Sequence, residues 1–156
     1  FRIGALKDST LHARPIGSSR LRVLASPAYL QRQGTPTRVR DLQRHVLLGF
    51  NRPESLNDWP LRDGDEPLHI VPALSSSSGE TLRQLALAGE GIVCLSDYMT
   101  RADRQRGALV QLFARPTLQV PQPISPVYYR NTVLAPRINC FIAYLVQALG
   151  PRRSVE

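Results

Sequence analysis

The chain reads as an α/β protein, on three observations. Short β-favouring runs alternate with helical periodicity through its middle, the pattern of a layered α/β architecture. The run Ser75-Ser76-Ser77-Ser78-Gly79-Glu80 and the residues after it, up to Leu95, read in turn as polar loop, capped amphipathic helix, glycine stop and buried strand. Near the end, Ile138, Phe141, Ile142, Leu145, Val146 and Leu149 recur at helical spacing on one side.

The elements follow in order. Phe1-Arg2-Ile3-Gly4 is strand-like, Asp8-Ser9-Thr10 is a turn, and residues 11–16 form a short strand. Residues 20–25 alternate β-favouring side chains. Ser26 then caps a short helix with Pro27 at its first position, where the absent N–H costs nothing, and Gly34 stops it. Residues 37–42 make a helical turn. Val46-Leu47-Leu48-Gly49-Phe50 is a continuous apolar run suited to a buried strand. Residues 51–66 read as a polar, hairpin-like loop anchored by Trp59, with an Asp63-Gly64 turn signal. Residues 68–74 read as one strand ending near Pro72.

Residues 78–89 are the clearest internal helix. Ser77 with Glu80 suggests a capping box, Leu82, Leu85 and Ala86 form the apolar stripe, and Gly89 and Gly91 close it. A buried strand over 92–95, a helix over 97–106 and a strand over 109–113 follow. Residues 116–126 read as a proline-punctuated connection, 127–130 as a strand, and 137–149 as the last helix, stopped by Gly150-Pro151. Residues 151–156 read as a frayed tail.

At 156 residues, 42% hydrophobic and 21% charged, the chain suits one ordinary core or two small lobes. No apolar run approaches the roughly 18 residues that span a bilayer, and the first residues do not form a signal peptide. The expectation is a cytoplasmic protein without membrane contact. Cys94 and Cys140 each lie in an apolar stretch and are expected as buried, reduced thiols. The net charge of +8 rests on 19 arginines and the single Lys7. The arginines are scattered; Arg101, Arg104 and Arg106 fall with Asp103 at helical spacing, which reads as a solvated helix face rather than a phosphate track.

The sequence carries no nucleophile elbow, Walker loop or dinucleotide fingerprint, and Gly89-Glu90-Gly91-Ile92 closes a helix rather than opening one. His12, His45 and His69 lie far apart in sequence and read as structural or surface residues, and no spacing resembles a metal site. The expectation is no enzyme, no cofactor and no metal. What remains is the serine run. A helix start fronted by hydroxyls collects unpaired N–H donors and the positive end of the helix dipole, which suits a small polar or anionic ligand. The same serines serve equally well as a plain cap and strand end.

Taken together, several stretches resemble the effector-binding domain of LysR-type bacterial transcriptional regulators. They are Phe1-Arg2-Ile3-Gly4, Leu11-His12-Ala13-Arg14-Pro15-Ile16, Arg22-Val23-Leu24-Ala25-Ser26-Pro27-Ala28-Tyr29-Leu30, Gly34-Thr35-Pro36 with Asp41-Leu42 and His45, and Trp59. Ser77, Gly79, Leu82, Ala88-Gly89-Glu90-Gly91-Ile92 and residues 137–145 follow in the family's order. The resemblance implies a type II periplasmic-binding-protein-like fold, two α/β lobes around a cleft, with one lobe incomplete. Residues 1–20 would end lobe one, 21–126 form lobe two, and 127–150 cross back and return to lobe one.

It implies a small-molecule effector in the cleft, contacted by Gly4, Ala5, Leu6, Ser76, Ser77, Ser78, Leu95, Ser96 and Tyr128. It also implies DNA binding only through an N-terminal helix-turn-helix that this sequence does not contain, and a homodimer or homotetramer in the parent protein. A transport-type solute-binding protein and an enzyme on the same fold are the competing readings.

Overall fold

Side chains alternate across a strand, so a strand apolar at both parities must be covered on both faces. Val23, Leu24 and Ala25 are all fully buried, as are Ile92 and Val93. This sets the architecture of the central sheet. The structure, a computed structural model, describes residues 2–3, 11–13, 17–63, 66–114, 121–125, 127–129 and 136–149.

In chain order the elements are β1 (Arg2–Ile3), β2 (Leu11–Ala13), β3 (Gly17–Ala25), α1 (Pro27–Gln33), a 3-10 turn (Val39–Arg44), β4 (Leu47–Phe50) and a second 3-10 turn (Glu54–Asn57). Then come β5 (Asp58–Asp63), β6 (Glu66–His69), β7 (Leu74–Ser76), α2 (Gly79–Leu87), β8 (Ile92–Ser96), α3 (Asp97–Gln105) and β9 (Val110–Leu112). Last are β10 (Pro121–Ser125), β11 (Val127–Tyr129) and α4 (Pro136–Leu149).

The chain divides into two compact units, Phe1–Ser19 with Pro121–Glu156, and Arg20–Val120. In the first, β1 pairs antiparallel with β10, Ile3 opposite Ile124, and β2 with β11, His12 opposite Tyr128. Residues 121–125 are therefore a paired strand, not part of a connection, and the return to the first unit falls at Pro121 rather than after residue 126. On α4, Ile142 is buried, while Ile138, Phe141 and Tyr144 are exposed. Cys140 is exposed too, against expectation: an apolar sequence neighbourhood does not bury a residue whose turn of helix faces outward.

In the second unit the strand order is β9-β3-β8-β4-β7. β3 runs antiparallel to β8 and β9, and β4 runs parallel to both β7 and β8. One face carries Val23, Ala25, Ile92 and Cys94 and packs against Tyr29, Leu42, Trp59, Leu61 and Ile70. The other carries Leu24, Leu48, Val93 and Leu95 and packs against Leu82 and Ala86 of α2 and against Leu109. Burial raises the Cys94 thiol far above its ordinary pKa, so it is an inert core group.

The stretch read as a loop over 51–66 instead holds a 3-10 turn and β5, hairpinned to β6 with Trp59 opposite Leu68. Trp59 and Leu61 are both buried and pack into the core under the sheet, and the β5–β6 pairing shifts register between Trp59 and Arg62. The strand expected over 68–74 is split in two. Ile70 N–H donates to Asn57 O and Ala73 N–H to Leu47 O, and Pro72 between them has no N–H to give a ladder.

Gly91 lets β8 lie against β4: a Cβ there would sit 2.6 Å from Val46 O. Two residues earlier, just past the end of α2, Gly89 takes a φ of +82° and its carbonyl accepts from Arg32 Nη2 at 2.6 Å.

Candidate functional site

The parallel strands β4 and β7 end side by side, with Phe50 opposite Ser76. The serine run crosses from this carboxyl edge to the start of α2, the place where open α/β sheets leave room for ligands. Ser76 Oγ accepts from Ser78 N–H at 3.1 Å, and Ser78 Oγ accepts from Thr81 N–H at 3.3 Å. Ser78, extended at φ −106° and ψ 120°, is therefore the cap rather than Ser77. The expected capping box does not form. Glu80 turns along the helix, its Oε1 accepting from Arg83 Nη1 at 2.7 Å and Gln84 Nε2 at 2.8 Å. The bonds from Gln84 and Arg83 hold the Glu80 carboxyl below its usual pKa.

With Ser76 and Ser78 serving the cap, the amides of Gly79 and Glu80 are the first-turn donors that the helix does not use itself. Ser77 and Ser78 are exposed. The wall beside them is apolar: a Cβ on Gly79 would lie 3.1 Å from Met99 Cε and 3.7 Å from Phe50 Cζ. The edge thus combines hydroxyls, helix N–H donors and two apolar side chains, groups that can hydrogen-bond and pack against a small ligand.

Two supports fix this edge. Phe50 N–H donates to Asn57 Oδ1 at 2.8 Å, and Asn57 Nδ2 donates to Phe50 O at 2.8 Å. Across the helices, Arg83 grips Asp103 with Nε on Oδ2 at 2.6 Å and Nη2 on Oδ1 at 2.8 Å, joining α2 to α3. Asp103 has no exposed surface and also accepts from Arg106 Nη2 at 2.6 Å. Arg83 first, then Arg106, keeps the Asp103 carboxyl below its ordinary pKa. On the face read as solvated, Arg101 and Arg106 are exposed, but Asp103 is the buried centre of an ion network. A separate pair of contacts ties Asp97 to Arg104 and to Arg22, whose Nε donates at 3.1 Å.

Of the residues that the sequence nominated, the structure brings together Ser76, Ser77 and Ser78 on this edge. Leu95 and Ser96 close β8, both buried, and Leu95 packs in the core with Leu82 and Ala86. Tyr128 lies in β11 opposite His12, in the first unit. Gly4, Ala5 and Leu6 lie outside the described residues. Sequence reasoning missed Phe50, Asn57 and Met99. Phe50 read only as part of a buried strand and Met99 only as part of a helix, and the Asn57 clamp depends on chain folding back over seven residues, which no periodicity marks.

Residues 1–150 match the profile of the LysR substrate binding domain. The chain belongs to the LysR substrate-binding domain family. It is 44% identical over 151 residues to the HTH-type transcriptional regulator CrgA of Neisseria meningitidis serogroup B, a match covering 96% of this chain and 50% of that protein. It is 30% identical to an HTH-type transcriptional regulator of Xanthomonas campestris pv. campestris, over 96% of this chain and 45% of the relative. The chain thus spans about half the length of these relatives.

The solved regulatory domain of CrgA, a LysR-type transcriptional regulator, superposes with a TM-score of 0.87 at 44% identity, covering 94% of this chain and 72% of that one. The full-length Vibrio cholerae virulence activator AphB superposes with a TM-score of 0.77 at 27% identity, covering 94% of this chain and 50% of that one. The type II periplasmic-binding-protein-like α/β class expected from the sequence is the class of these LysR domains, and their descriptions favour a regulator over a transport protein. Among the described residues no helix is long and apolar enough to cross a membrane.

Proposed function

We propose that this LysR domain senses a small polar or anionic effector at the hydroxyl-fringed start of α2, as the regulatory part of a DNA-binding transcriptional regulator. The observation that carries the reading is the edge itself: Ser76, Ser77 and Ser78 meet the first N–H donors of α2 at the carboxyl ends of β4 and β7, over Phe50 and Met99. Gly4, Ala5, Leu6, Ser96 and Tyr128 are the further contacts that the family resemblance supports. Leu95 supports α2 from below.

The domain holds its ligand without altering it. Binding biases the balance between arrangements of a homodimer or homotetramer in the cytoplasm, and so the geometry offered to DNA. DNA contact belongs to the helix-turn-helix of the whole regulator, as the names of the relatives imply.

Thermal shift of the full-length regulator against a metabolite panel tests this, together with the DNA response of Ser76→Ala, Ser77→Ala and Ser78→Ala. A stabilising compound whose effect weakens in these variants is expected. If no compound raises the melting temperature and the variants leave the DNA response unchanged, the reading fails.

A further inference from the structure

A second concavity lies within the Arg20–Val120 unit, away from the serine edge. It encloses about 360 Å³ between the 3-10 turn at Val39–Arg44, the end of β6 and the chain entering β7. That volume is near the lower end for small-molecule sites. Val39, Leu42, Leu47, Leu68, Ile70 and Val71 give the larger part of its wall, and Arg40, Gln43, His45 and His69 supply the polar part. Leu42 and Ile70 are buried at its floor, whereas Val71 is 85% exposed, which leaves apolar surface facing water.

Two of the polar lining residues bear on its chemistry. Arg40 lines it, and among the described residues no carboxylate pairs with its guanidinium. His45 lines it as well. Tyr29 Oη accepts from Val46 N–H at 2.9 Å and lies 3.1 Å from His45 Nδ1. Tyr29 and His45 share one hydrogen bond, whose direction the His45 tautomer sets. Burial lowers the His45 pKa, so the ring is neutral at pH 7. The other histidine in the lining, His69, is committed through Nδ1 to Asp58 Oδ1 at 2.6 Å.

We infer that this groove is a second ligand site, for a small amphiphilic monocarboxylate whose apolar body fills the groove and whose carboxylate meets Arg40. An uncompensated cation beside an apolar trough favours such an anion over a neutral solute of the same shape. The site is independent of the serine edge and does not rest on the reading proposed for it.

The test is calorimetric titration of the full-length regulator with hydrocinnamate and with its neutral amide. Weak binding of the acid, with a dissociation constant on the order of millimolar, is expected. Both the amide and the Arg40→Gln variant should bind about fivefold more weakly. Ala73→Leu, at an exposed lining position, should reduce binding by occupying the groove. Both variants alter exposed residues, and a melting curve checks their folding.

Equal affinity for acid and amide, no effect of Arg40→Gln, or loss of binding in Ser77→Trp but not in the groove variants would each overturn the inference. So would absence of acid binding together with self-association that Val71→Asp abolishes, which would make the groove a contact between copies.

Discussion

The side-chain amide of Asn57 takes both backbone polar groups of Phe50, accepting from its N–H and donating to its carbonyl, each at 2.8 Å. The ladder between β4 and β8 ends at Leu48 opposite Val93, so Asn57 satisfies the edge where the sheet stops. Asn57 is itself 4% exposed. Asn57→Ala should therefore leave two poorly solvated groups unmatched and cost about 2–3 kcal/mol, read as a lower urea midpoint at unchanged slope. A loss below ~0.5 kcal/mol would show that water replaces the amide freely.

Asp103 is the buried centre of the α2–α3 junction. Asp103→Asn should destabilise by about 3 kcal/mol, because Arg83 and Arg106 keep their charges and lose the buried carboxylate, leaving Arg83 only the exposed Glu80. The folded Asp103 pKa is lowered, so its stabilisation is present above the ordinary carboxylate value and is lost as pH falls through that value toward the folded one. Acid titration of wild type and variant should converge at low pH. Parallel curves would show that Asp103 carries no such linkage.

His45 gives a pH signal of the same sign in a higher pH range. Its folded pKa is lowered by burial, so between the folded and unfolded values the unfolded chain binds the extra proton. Stability is then full at neutral pH and declines as pH falls below the ordinary histidine value near 6.5. His45→Gln should flatten the drop in melting temperature between about pH 7.5 and 5.5. An identical drop in both proteins contradicts this.

Ser78 and Ser77 separate folding from recognition. Ser78→Ala removes the oxygen that accepts from Thr81 N–H and should cost about 1 kcal/mol. Ser77→Ala should change stability by under ~0.5 kcal/mol, since Ser77 is exposed. Chemical denaturation of both variants checks the pair; the reverse order would move the cap back to Ser77.

Gly91 is required by close approach rather than by its dihedral angles. Gly91→Ala would put a methyl 2.6 Å from Val46 O and 3.0 Å from Leu48 Cγ. Backbone cannot yield as a flexible side chain does, so a loss of about 2–3 kcal/mol is expected by thermal unfolding. A neutral result would mean that the β4–β8 pairing tolerates separation.

Much of the second unit was legible in the sequence. The Ser26 cap with Pro27, the Gly34 stop, the apolar strands and the α2 stripe are local features in which residue type and backbone preference agree. The serine edge was legible for the same reason, since hydroxyls before a helical stripe declare a helix start. The family resemblance rested on the order of these blocks.

Tertiary structure alone decided the rest. Residues 51–66 look polar along the chain, yet Trp59 and Leu61 form a strand because the sheet face above them needed cover. Asp103 looks like one more surface charge until Arg83, 20 residues earlier, closes on it. Cys140 looks apolar by its neighbours and is exposed by its side of α4. The Arg40–His45 groove arises from segments that meet only on folding. The sequence by itself determined what each segment prefers, because propensity and capping act over one or two turns. Which polar group ends up buried, paired or open to a ligand depends on contacts between distant segments, and those energies exist only once the chain has packed.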